Sequence, residues 1–108
     1  MDILKSFKPR ASLALVVSCI LASAAHANEA LARKSDCLAC HSVANKLVGP
    51  AFKDVAAKYA GQSDALQQLE NSIRNGSSGK WGELPMPPHP KLSAADLKKL
   101  STWVLGLK

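Results

Sequence analysis

Apolar positions recur along the second half of the chain with a helical period. Phe52, Val55, Ala56 and Tyr59 fall at i, i+3, i+4 and i+7, which predicts a short helix ended by Gly61. Ser63 then offers an N-cap for a second helix with Leu66, Leu69 and Ile73 on its apolar face, stopped at Asn75-Gly76. Ser93 followed three residues later by Asp96 is a variant of the capping box. It opens a last helix carrying Leu97, Leu100, Val104 and Leu107 on one side and Lys98 and Lys99 on the other. Upstream, residues from Glu29 to about Ser42 read as a first helix with Ala30, Leu31 and Leu38 apolar. Asn45 to Pro50 is a loop. From Gly76 to Pro90 glycine and proline dominate and no period survives, so that stretch is a long loop. No segment alternates at period two long enough for a strand, and neither repeats nor low-complexity tracts occur. The fold class predicted is all-α.

The N-terminal pattern is different in kind. Lys5, Lys8 and Arg10 precede an apolar run of 11 residues, Ala11 to Leu21, and Ala25-His26-Ala27 follows. This is the layout of a secretory signal peptide cleaved after Ala27. The run is too short to span a bilayer, which takes about 20 residues. A lipobox-like reading of Val16-Val17-Ser18-Cys19 would instead lipidate Cys19, but Ile20 and Leu21 continue the apolar run where such a chain turns polar. Retention by an uncleaved segment is the third alternative. Residues 1–27 are therefore set apart as a removed signal peptide, and 28–108 form one small domain.

Removing 27 of 108 residues leaves 81, a length at which a hydrophobic core alone stabilises poorly. Three of the 14 basic and one of the 8 acidic residues lie in the leader, so the mature net charge is +4. That modest surplus suits steering toward an acidic partner surface, or simply a solvated lysine-rich face, and is too diffuse for a nucleic-acid interface.

Candidate chemistry concentrates in Cys37-Leu38-Ala39-Cys40-His41. C-x-x-C-H is the attachment signature of a c-type haem. The two thiols add across vinyl groups on neighbouring pyrrole rings, and the adjacent imidazole of His41 binds iron as proximal ligand. A thioredoxin-like redox pair would want a strand–helix context, and zinc a second ligand pair; Cys19 is the only other cysteine. A structural disulfide is the remaining alternative. A porphyrin also answers the size problem, as a large apolar body for short helices to wrap.

The opposite face of the iron needs a ligand as well. Met86 and His89 are the candidates, the only mature methionine and the only other mature histidine. Met86 lies in Leu84-Pro85-Met86-Pro87-Pro88, where flanking prolines restrict the backbone and hold the thioether at a set height. Core packing would waste the flexibility for which methionine is useful. Met86 is therefore favoured, with His89 or a packing role for Met86 as alternatives. Thioether ligation raises the reduction potential.

With these residues placed, the chain resembles the small bacterial class I cytochromes c of the c-551/c-552 (cytochrome c8) type. The resemblance covers essentially the whole mature chain. It is carried by the haem motif, by Val48 to Ala56, by Asn75 to Gly82, by Pro85-Met86-Pro87-Pro88, and by the C-terminal stretch with Trp103 and Val104. It implies four to five short helices wrapped around one covalently attached haem c, held through Cys37 and Cys40, with His41 and Met86 on the iron. It further implies that the Pro50 carbonyl accepts from the His41 ring and that Trp81 donates toward a haem propionate; an aromatic lid is the alternative for Trp81. The implied function is a periplasmic, monomeric one-electron carrier between respiratory-chain donors and a terminal reductase or oxidase, not an enzyme. Partners would dock at an apolar rim formed by Leu47, Val48, Leu84 and Pro87. Two positions depart from the pattern. Ser72 stands where relatives often carry an arginine bonded to the inner propionate, with Arg74 nearby. His89 stands where an amide side chain commonly bonds the ligand methionine. A gas-binding haem sensor and a peroxidase, the latter with His89 as its acid–base group, are the rival functions.

Overall fold

A computed structural model describes residues 28–108. The signal-peptide reading of 1–27, and the alternatives at Cys19, lie outside the described residues. A first helical stretch, α1, covers 28–34, and α2 (Phe52–Tyr59), α3 (Ala65–Asn75) and α4 (Ala94–Leu105) follow. No strand occurs among the described residues, and none of their helices is long and apolar enough to cross a membrane.

Helix α2 buries Phe52, Val55, Ala56 and Tyr59, the four residues of its apolar stripe. Asp54 in its first turn and Lys58 in its last turn both complement the helix dipole. Helix α4 starts as its sequence dictates, with the Ser93 hydroxyl accepting from the Asp96 backbone N–H at 3.1 Å. It packs against both α2 and α3. The core so formed joins Phe52, Val55 and Tyr59 to Leu69 of α3 and Val104 of α4, with Leu107 packed on it just beyond the helix end.

Two expected helix starts and stops are corrected. The first helix does not continue to Ser42. It ends by residue 34, Asp36 adopts a left-handed conformation (φ 62°), and Cys37–Ala39 form a separate 3-10 turn. Aspartate is among the few side-chain-bearing residues that enter that region readily, and it redirects the chain before the cysteines. The cap of α3 is Asp64, not Ser63. Its carboxylate accepts from the Gln68 side-chain amide at 2.9 Å rather than from the backbone.

The loop from Gly76 to Pro90 is ordered by backbone pairing. Ser77 and Met86 exchange hydrogen bonds in both directions, 3.1 Å and 2.8 Å, as an isolated antiparallel bridge. His89 donates its backbone N–H to the Ile73 carbonyl at 2.8 Å, tying the loop's far end to α3.

Candidate functional site

The 3-10 turn presents the two thiols. Cys40 and His41 both donate backbone N–H groups to the Cys37 carbonyl, at 3.2 Å and 2.9 Å, so the chain coils tightly through the motif. Both cysteines are half-buried free thiols. Burial pushes the Cys37 thiol above its usual pKa, and the Asp36 carboxylate adds to that, against a backbone hydrogen bond that lowers it.

His41 is fixed on several sides. Its Nδ1 lies 2.7 Å from the Pro50 carbonyl oxygen. A carbonyl only accepts, so Nδ1 carries a proton, and in the neutral ring Nε2 then keeps its lone pair free. The ring stacks on Phe52 with centroids 4.9 Å apart and planes at 19°, and Phe52 in turn meets Trp103 edge-on at 5.6 Å. Against the ring lies Gly49, where a Cβ would come 2.5 Å from His41 Cε1. The loop from Asn45 to Pro50 thus holds the imidazole as much as the motif does.

His41 opens into a cleft that is continuous with solvent. Its lining is mainly apolar: Phe52, Val55, Leu69, Ile73 and Val104 from the core, with Val48, Leu84 and Pro87 at the rim. Cys40, Trp81 and Met86 line the same cleft. Leu47, Val48 and Leu84 are the large apolar residues left most open, 51%, 57% and 69% exposed. A half-buried apolar cleft lined by Cys40, His41 and Met86, with Cys37 on the adjoining turn, fits the donor set of a covalently tethered haem.

A cytochrome c family model matches residues 26–108. The chain belongs to the cytochrome c family. It is 52% identical over 89 residues to cytochrome c-552 of Nitrosomonas europaea, covering 82% of this chain and 86% of that one. To cytochrome c-551 of Pseudomonas aeruginosa it is 46% identical, covering 94% and 99%. The crystal structure of the wild-type Nitrosomonas europaea protein superposes with a TM-score of 0.71 at 54% identity, over 74% of this chain and 99% of that one. As a cytochrome c it is an electron-transfer protein with covalently bound haem c as its cofactor, and not an enzyme.

Several residues of this cytochrome c have surroundings that the sequence pattern does not specify. His89 forms no hydrogen bond with Met86 among the described residues, and its buried Nδ1 has no partner. Arg74 donates through Nη1 to the Pro90 carbonyl at 3.2 Å and does not line the cleft. Trp81 is 38% exposed, with the Lys58 ammonium 4.3 Å above its ring. The steric need for glycine at 49 and the Phe52 stack carry no distinct signal in the sequence, because both depend on where the His41 ring comes to rest.

Proposed function

We propose that this chain is a periplasmic mono-haem electron carrier, cut from its signal peptide after Ala27, that shuttles single electrons between respiratory-chain donors and a terminal reductase or oxidase. When bound, the haem supplies the one-electron Fe(III)/Fe(II) couple. Cys37 and Cys40 would anchor it covalently, His41 would give a nitrogen ligand and Met86 a thioether ligand to its iron. The Pro50 carbonyl holds the His41 tautomer and strengthens its donation. Trp81 caps the propionate side. The mainly apolar lining of the cleft would favour the less charged ferrous centre and, with the thioether, a high potential.

The observation that carries this reading is the convergence of His41, with Nε2 free, and Met86 on one apolar cleft beside the cysteine turn. Leu47, Val48, Leu84 and Pro87 would give a monomer a small apolar contact for redox proteins, with lysines around it steering encounter. Contacts of that size suit brief electron-transfer complexes.

The absorption spectrum of the purified protein tests the assignment. A low-spin, six-coordinate iron in both oxidation states, with the weak sulfur-to-iron band in the red of the oxidised form, is expected. Rapid carbon monoxide binding by the wild type would support the sensor reading instead, and turnover of peroxide the peroxidase. An intact mass equal to residues 28–108 plus one haem, from the periplasmic fraction, tests the cleavage site.

A further inference from the structure

Ser72 of α3 and Lys80 of the following loop face the same cleft. Ser72 is only 7% exposed, yet it is polar. The Lys80 ammonium donates to its hydroxyl oxygen at 3.4 Å. At its other end Lys80 is held too: its backbone carbonyl accepts from the Lys58 ammonium at 2.9 Å, the same ammonium that rides over Trp81. A lysine this exposed would ordinarily sample many rotamers; here both ends are tethered.

The pair presents donors and lacks an acceptor of its own. A hydroxyl that accepts from an ammonium keeps its hydrogen to give, and the ammonium keeps two more N–H groups. Convergent O–H and N⁺–H donors beside a mainly apolar wall are what a carboxylate requires. Among the described residues no carboxylate lines the cleft, whose titratable groups are Cys40, His41, Tyr59 and Lys80. Cys40 and His41 are committed to attachment and ligation, and the Tyr59 side chain is buried in the core. Arg74, the alternative cation, is engaged by Pro90 away from the cleft.

We infer that Ser72 and Lys80 together form the binding site for a propionate carboxylate of the haem, with Lys80 as its counter-ion. This rests on the haem reading above. A fixed ammonium beside a carboxylate favours the ionised form, so it lowers the carboxylate's pKa. Where the propionate titration is coupled to the iron, the pH-dependent part of the reduction potential moves with it.

The test uses the holoprotein and follows propionate titration by NMR together with the potential as a function of pH. Lys80→Gln is expected to raise the pKa of one propionate by about one unit and to move the sloping segment of the potential curve upward in pH by the same amount. Ser72→Ala should shift it in the same direction by less, and Lys80→Arg should restore the wild-type titration. Lys91→Ala, which removes an exposed lysine that does not line the cleft, should leave it in place. An unchanged titration in Lys80→Gln, or an equal shift in Lys91→Ala, overturns the assignment. Failure of the haem reading itself would show separately, as a wild-type protein without covalent haem absorption.

Discussion

A side chain at Gly76 would place its Cβ 2.7 Å from the carbonyl oxygen of Met86. That contact is far too short for any residue with a side chain. Gly76 also adopts φ 77° and ψ 171°, a region essentially reserved for glycine. It closes α3 and lets the returning strand of the loop lie against it, so that Ser77 can pair with Met86. The height of the thioether is thus set by a glycine ten positions earlier.

Gly76→Ala is accordingly expected to destabilise the protein by about 1–3 kcal/mol and to push the Met86 backbone away from α3. Denaturant unfolding of the oxidised holoprotein gives the stability change. If Met86 ligates iron, the red sulfur-to-iron band should weaken as well. Wild-type stability with an unaltered band would show that the loop yields without disturbing Met86.

Gly49→Ala tests the other side of the iron. The new Cβ would lie 2.5 Å from Cε1 and 2.9 Å from Nδ1 of His41, so the ring must tilt or the loop retreat. Tilting loosens the 2.7 Å bond to Pro50; retreat carries Pro50 with it. Overpacking of this sort costs about 1–3 kcal/mol. A weaker hydrogen bond to Nδ1 reduces imidazole donation, so the potential should rise even where the protein stays folded. Potentiometry on the purified variant checks the sign.

How much of this was legible in the sequence depended on what encodes each feature. Helix α2 was plain because its stability lies in the periodic burial of Phe52, Val55, Ala56 and Tyr59. The start of α4 was plain because a cap is a local hydrogen bond between Ser93 and Asp96. The first helix was overextended, since the apolar spacing of Leu31 and Leu38 says nothing of the left-handed turn at Asp36. The Ser77–Met86 bridge was invisible, because backbone pairing leaves no side-chain pattern. The cleft's donor groups were legible from the spacing around His41 and the prolines around Met86. The link from Lys80 to Ser72 was not, as it spans eight residues and crosses from a loop to a helix.

Ser101 bears on stability alone. It is fully buried in α4, and its hydroxyl has no hydrogen-bond partner among the described residues. A buried unsatisfied hydroxyl costs about 1–3 kcal/mol, whereas alanine is nearly isosteric and a better helix former. Ser101→Ala should therefore raise the unfolding free energy by roughly 1 kcal/mol with no change in spectrum or potential. A loss of stability would mean that the hydroxyl has a partner in solution, such as a trapped water.

Met86→Ala discriminates most sharply between an electron carrier and a sensor. It removes the only thioether among the described residues, leaving His41 on one face and water, hydroxide or a displaced His89 on the other. Attachment through Cys37 and Cys40 does not depend on Met86, so the protein should remain red. Thioether is a soft donor that favours Fe(II), and its oxygen or nitrogen replacements favour Fe(III), so the potential should fall substantially. The red band should vanish, and carbon monoxide binding and peroxide turnover should appear in the variant alone. Rapid carbon monoxide binding by the wild type, with spectrum and potential unaltered in Met86→Ala, would instead assign this cleft to ligand sensing.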